Sequence, residues 1–216
     1  MKIEVGNTSP IRLRLQTTHR GFESEISDLL DWLKDAENIF NETQGIIGDR
    51  DKNEKMFLIM DSACILAISA FEYFIKTIER LNGDKNTKNV NNYGEVEKIL
   101  KESWRLELNE IIGEKWKHMD LLFRFRHIIV HCGNIPDEKF LKFMHSTFGP
   151  EKANKWHHNT PVWLDPINTR TLIENLKSCE ESIMERIHNQ IIQNERQENN
   201  CEPEIVVQAF FNRFYL

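Results

Sequence analysis

Apolar residues recur every three or four positions over most of the chain, the spacing of an amphipathic α-helix. The cleanest run covers about 53–82, where this spacing continues without a miss and further apolar residues widen the stripe. A stripe this wide has to contact more than one neighbour, so we expect this segment to be the central core helix. Its stripe consists of Phe57, Met60, Cys64, Ala67, Phe71, Phe74, Ile78 and Leu81.

The same period predicts most of the remaining chain to be helical, with glycines ending several segments. The predicted helices run from Phe22 to about Gly45, over about 94–112, from Glu114 to Gly133, briefly after Asp137, and from Asn168 or Thr169 to about Glu195. We therefore predict an all-α fold, a bundle of four to five main helices with an inserted short helix and loop segment at 137–166.

Both ends of the chain differ from this pattern. Residues 1–21 form an N-terminal arm in which Ile11, Leu13 and Leu15 alternate with arginines, which indicates a short strand or an extended segment. The C-terminal tail, 196–216, is polar at first and very apolar from Ile205 onward. We expect this tail to dock on its own domain or on a second subunit, because exposed apolar patches of that size are rare in monomers.

The composition of the chain is compatible with some classes of protein and argues against others. The chain has 216 residues, of which 40% are hydrophobic and 29% charged, typical of a soluble globular protein. Its net charge of -6 argues against a broad nucleic-acid-binding surface. The four cysteines form no CxxC pair, and we find neither a signal peptide nor a run of eighteen apolar residues. These features predict a cytoplasmic protein with no membrane segment.

Candidate chemistry is concentrated at the end of the helix that begins at Glu114. Arg126, His127 and His131 lie among apolar residues, where unpartnered polar groups are costly. At about 100° per residue, Arg126 and His131 diverge by about 140°. One helix would therefore give an incomplete site that a symmetric dimer could complete. Two stripes follow from this geometry, a packing stripe of Trp116, Met119, Phe123, Arg126 and Val130, and a polar stripe of Asp120, Arg124, His127 and His131.

The segment Arg126-His-Ile-Ile-Val-His131 resembles the R-x4-6-H motif of HEPN domains (higher eukaryotes and prokaryotes nucleotide-binding), with four residues between Arg and His. Gly133 follows it, and Ala70-Phe71-Glu72-Tyr73-Phe74 in the central helix is similar to an A-F-E-x-F pattern of that family. The resemblance covers residues 22–195, with 137–166 as an insertion.

This resemblance implies a metal-independent endoribonuclease of toxin or antiviral type, active as a homodimer with a shared cleft and restrained by an antitoxin or regulatory partner. It implies that Arg126 and His131 are the catalytic pair and that the site has no cofactor or metal. It also implies that His127, Arg124 and Asn134 contact the substrate. Glu72 and Asp120 are the acids that it implies as support for the catalytic pair. Glu72 lies off the main apolar stripe, which on pattern alone favours solvent exposure.

The residue types suit ribonucleolysis without a metal. Histidine serves as general acid or base near neutral pH, and arginine holds two phosphate oxygens at once. A local basic group could guide single-stranded RNA toward the site. It consists of Lys115, Lys117, His118, Arg124, Arg126 and His127.

Simpler interpretations remain open for the same residues. His131 could interact only with the helix dipole, and Arg126 could pair with a buried acid such as Glu72 or Asp120. A metal on His127 and His131 lacks a third ligand at suitable spacing.

Two further features have equally simple explanations. Trp156-His157-His158 could stack on a base or form a polar loop. Cys132 directly follows His131, and adjacent side chains on a helix point about 100° apart, so Cys132 is poorly oriented to be a nucleophile activated by His131. For the whole chain, the alternatives to an enzyme are a non-catalytic HEPN-like module that binds nucleotide or protein, and a structural dimerising bundle.

Overall fold

The computed structural model describes residues 9–42, 49–82, 90–154, 156–158, 160–162 and 164–199. Within these ranges all regular structure is helical, which confirms the all-α prediction. The helices are α1 (Pro10–Glu42), α2 (Asp49–Leu81), α3 (Tyr93–Trp104), α4 (Leu108–Ile112), α5 (Trp116–Cys132), α6 (Glu138–Phe148), α7 (Pro150–Ala153) and α8 (Pro166–Asn199). The apolar tail from Ile205 lies outside the described residues, so its predicted docking is untested.

Helix α2 is the centre of the bundle, as its pattern predicts. Met60, Phe71, Phe74 and Ile78 are fully buried, and α2 packs against α1, α3, α5 and α8. Among the described residues, the part of α2 from Glu54 to Leu81 is also long and apolar enough to span a membrane, with a mean hydropathy of 1.7 in its most apolar window. Half of that window is buried inside the bundle, and the core helix of a soluble protein meets the same criterion.

The strand or extended segment predicted in the N-terminal arm is wrong for residues 10–21. Helix α1 begins at Pro10, a residue whose fixed φ suits the first helical position. Leu15 is fully buried, whereas Leu13 is 58% exposed. This half of α1 lies along α8, where Arg12 Nε is 2.9 Å from Glu195 Oε2. The alternation that predicted a strand covers only three apolar residues, and the packing of α1 against α8 favours a helix instead.

The single helix predicted over about 94–112 is interrupted. Helix α3 ends at Trp104, and Arg105 adopts a left-handed conformation with φ of 53°. The next helix, α4, begins at Leu108. A 3-10 turn over Gly113–Lys115 then leads into α5, which starts at Trp116 and not at the predicted Glu114.

The predicted insertion docks on the helix that carries the candidate site. Phe125 of α5, Phe140 of α6 and Trp156 form an aromatic cluster with ring centroids 5.5–5.6 Å apart. Trp156 is therefore part of the packing and not a free base-stacking surface. His157 and His158 beside it are exposed.

A buried acid and a histidine couple α1 to α8. His19 Nδ1 lies 3.0 Å from both carboxylate oxygens of Glu180, whose side chain is fully buried. Burial raises the pKa of Glu180 to about 7, against the opposing effect of His19. Burial lowers the pKa of His19, but the hydrogen bond and charge of Glu180 outweigh it and the pKa is raised. Both pKa values are therefore higher in the folded protein than in the unfolded chain, so His19 and Glu180 stay protonated to higher pH when the protein is folded.

We expect this pair to make the protein less stable as the pH rises from about 5 to about 8. The folded state then binds more protons than the unfolded state, so the free energy of unfolding falls with pH, by about 2 kcal/mol. Urea unfolding across this range should give a shallower fall for Glu180→Gln than for the wild type. The matched control is Glu185→Gln, at an exposed acid further along α8. Equal pH slopes for Glu180→Gln and the wild type would contradict the assignment.

Candidate functional site

Arg126 and His131 of the same chain line one pocket of about 150 Å³. The other lining residues are Asn91, Phe123, His127 and Val130. The long side chain of Arg126 thus overcomes the angular divergence of the two positions on α5. The pocket is large enough to admit a phosphodiester group.

Arg126 is fixed to the central helix by Glu72. The Arg126 Nη1 group donates to Glu72 Oε1, and the two side chains are 29% and 12% exposed. Burial raises the pKa of the Glu72 carboxyl, and the charge of Arg126 opposes this rise. The solvent exposure favoured for Glu72 on pattern alone is therefore wrong. A guanidinium has five N–H donors, so Arg126 keeps donors for a ligand in the pocket.

The two histidines of the pocket lie one turn apart on the outer face of α5. Their ring centroids are 5.1 Å apart, and the His127 side chain is 56% exposed. His131 is in the last turn of α5, where the helix dipole favours a cation. Val130 between them is 52% exposed, so its place on the predicted packing stripe is wrong. The two rings can therefore reach a ligand that enters from solvent.

Arg124 and Asp120 lie together but outside the pocket lining. Arg124 Nη2 donates to Asp120 Oδ2 over 3.1 Å, and its guanidinium lies 4.1 Å from the ring centroid of Phe143 on α6. Burial raises the pKa of Asp120, and Arg124 opposes the rise. The structure therefore gives Arg124 a packing role against α6 where we expected a substrate contact, and Asp120 supports Arg124 and not Arg126.

Asn134, another expected substrate contact, is buried and links the end of α5 to α2 and to the segment that contains Val162. Its Nδ2 donates to Asp61 Oδ2 of α2 over 2.6 Å, and its carbonyl accepts from Val162 N over 2.7 Å. Its φ of 64° is left-handed, a conformation that Asn tolerates better than most residues. Asn134 does not line the pocket, and these contacts indicate a structural role at the end of α5.

We expect Asn134→Ala to destabilise the fold by about 1–3 kcal/mol, because it leaves the Asp61 carboxyl without its donor. The pKa of Asp61 is already raised by burial, so a lost hydrogen bond is poorly replaced by water. Asn134→Gly loses the same bond but accepts the positive φ, so it should be less damaging than alanine. Chemical denaturation measures both. An unchanged unfolding midpoint for Asn134→Ala would refute the role.

The predicted basic group is largely neutralised by neighbours. Lys117 pairs with Glu114, Arg124 with Asp120 and Arg126 with Glu72, while Lys115 Nζ donates to Ser178 Oγ. These cations do not form a free basic patch. Any RNA bound here would be held chiefly by the groups that line the pocket.

Comparisons with protein-family models, curated proteins and solved structures gave no match for this chain.

Two potential metal ligands that spacing did not predict, Cys132 and Asp137, lie beside His127. One ligand atom each of His127, Cys132 and Asp137 lies within 4.8 Å of the other two. The residues are five positions apart, and the chain reversal after α5 brings them together. Gly133 and Asn134, both with positive φ, make that reversal. A Gly-Asn pair followed by an N-capping Asp was the available sequence signal for it.

Proposed function

We propose that this protein is a metal-independent endoribonuclease of HEPN type, a toxin or phage-defence effector that acts in the cytoplasm on single-stranded RNA. The observation that carries this proposal is the shared pocket of Arg126, His127 and His131. It combines a permanent cation with two imidazoles, a residue type that serves as general acid or base, and phosphodiester cleavage without a metal uses groups of these kinds.

In the proposed reaction, the ribose 2′-OH attacks the adjacent phosphorus and the bond from phosphorus to the 5′-oxygen breaks. The products are a 2′,3′-cyclic phosphate and a free 5′-OH. One His131 takes the proton of the 2′-OH, and His131 of a second copy of the chain protonates the leaving oxygen. Arg126, oriented by Glu72, stabilises the charge on the pentavalent phosphorus, and His127 contacts the substrate.

The second copy is part of the proposal because one protomer supplies a single His131. In the proposed dimer, the partner covers Val130, which is 52% exposed beside the site. Size-exclusion chromatography with light scattering should give twice the 25.6 kDa mass of the chain. A monomer at all concentrations that nevertheless cleaves RNA would remove the second subunit from the mechanism.

A non-catalytic HEPN-like module that binds nucleotide or protein is the second candidate. The ion pair of Arg126 with Glu72 favours it, because that pair alone would explain the position of a partly buried arginine. Lys117 and Arg124 are also paired, which leaves little free positive charge for RNA. A module of this kind would bind a nucleotide or a regulatory partner and leave RNA intact.

Incubation of the purified protein with RNA in EDTA separates the two candidates. The enzyme produces fragments with 2′,3′-cyclic phosphate ends, and a substrate with 2′-O-methyl groups resists cleavage because it lacks the attacking hydroxyl. Intact RNA at high protein concentration would favour the binding module.

A further inference from the structure

His127, Cys132 and Asp137 form a cluster of three unlike ligand groups at the end of α5. The Nε2 atom of His127 is 4.0 Å from Asp137 Oδ2, and all three ligand atoms lie within 4.8 Å of one another. The His127 and Asp137 side chains are 56% and 35% exposed, so an ion can reach them from solvent.

We propose that this cluster binds a divalent transition-metal ion of the Zn²⁺ class. An imidazole, a thiolate and a carboxylate form a borderline-soft set that suits Zn²⁺ and is unsuited to Mg²⁺ or Ca²⁺. In a tetrahedral zinc site, ligand atoms are separated by about 3.3–3.8 Å. The three groups reach that spacing when each shifts by less than about 1 Å, and a water molecule completes the tetrahedron.

Asp137 is already oriented for this role. Its Oδ1 accepts a hydrogen bond from Phe140 N over 2.7 Å as the N-cap of α6, which holds the carboxylate in place. The other oxygen, Oδ2, is the one that faces His127. A second contact that orients a ligand in this way is usual in protein metal sites. Bound metal would join the end of α5 to the start of α6.

The site shares His127 with the pocket of Arg126 and His131. Metal binding withdraws the His127 imidazole from substrate and places a dication at the edge of the pocket. Provided that the proposed function is correct, Zn²⁺ is therefore an inhibitor of RNA cleavage, and a chelator restores activity.

Co²⁺ is the direct probe of the site, because a thiolate ligand gives a charge-transfer band and tetrahedral geometry gives intense visible bands. The full chain is titrated with Co²⁺ in a Cys201→Ser background, which removes the one cysteine outside the described residues. We expect one equivalent to bind and Zn²⁺ to displace it. Cys132→Ser should abolish the thiolate band, and His127→Ala or Asp137→Asn should weaken binding by about 10–100-fold.

Asp137→Asn retains an N-capping side chain, so a loss of binding in that variant reports on the ligand and not on α6. His145→Ala, at an exposed histidine of α6, is the matched control and should bind Co²⁺ like the parent. A thiolate band that persists in Cys132→Ser, or binding that none of the three variants weakens, would overturn the site. Failure of the proposed function is distinguishable, because a protein inactive in EDTA would still show the cobalt bands.

Discussion

His131→Ala is expected to lower the rate of RNA cleavage by at least about 100-fold, the usual effect of removing a general acid or base. Both proton transfers of the proposed reaction depend on this residue, one from each subunit. The ring is at the exposed end of α5, so its removal leaves the core intact. Initial rates on a single-stranded RNA in EDTA measure the effect, and light scattering checks that the variant has the same mass as the wild type.

His145→Ala is the matched control for this variant. It removes an exposed imidazole from the neighbouring helix α6, outside the pocket, and should cleave RNA at the wild-type rate. Parallel losses in the two variants would point to a general effect on the protein. Undiminished cleavage by His131→Ala would exclude this residue from the chemistry.

Arg126→Ala should remove cleavage and also destabilise the fold, and a second substitution separates the two effects. Without its cation, the largely buried Glu72 carboxyl is left unpaired, at a cost of about 1–3 kcal/mol at neutral pH. Adding Glu72→Gln removes that charge, so the double variant should regain most of the lost stability. It should remain inactive, because the phosphate-binding cation is still absent.

Urea unfolding and RNA cleavage are both measured on wild type, the two single variants and the double variant. Glu72→Gln alone keeps Arg126 in the pocket and should retain more activity than Arg126→Ala. Arg186→Ala, an exposed arginine of α8, is the control for loss of a surface cation. If the double variant regained both stability and cleavage, Arg126 would have a structural role only.

The fold class followed from the sequence because the helical period is long and strong in most of the chain. The stripe of α2 identified the core helix, and Phe71 and Phe74 on it are fully buried. The N-terminal arm was misassigned because its evidence was local. Helix α1 contacts α8 through His19 and Glu180, residues that are 161 positions apart and that no short sequence window contains.

From the sequence, only the part of the site that lies on the single helix α5 could be placed. The positions of Arg126 and His131 on α5 could be placed from spacing, and Glu72 was among the expected partners of Arg126. The cluster of His127, Cys132 and Asp137 could not be placed, because it depends on a chain reversal after α5. The contact of Arg124 with Phe143 could not be placed for a similar reason, since it depends on the docking of α6.

The most direct test of the central claim is RNA cleavage in EDTA by wild type, Arg126→Ala and His131→Ala at equal concentration. We expect that only the wild type releases fragments with 2′,3′-cyclic phosphate ends. Cleavage of equal rate in all three proteins, or none by a folded wild type, would contradict the proposed catalytic role of Arg126 and His131.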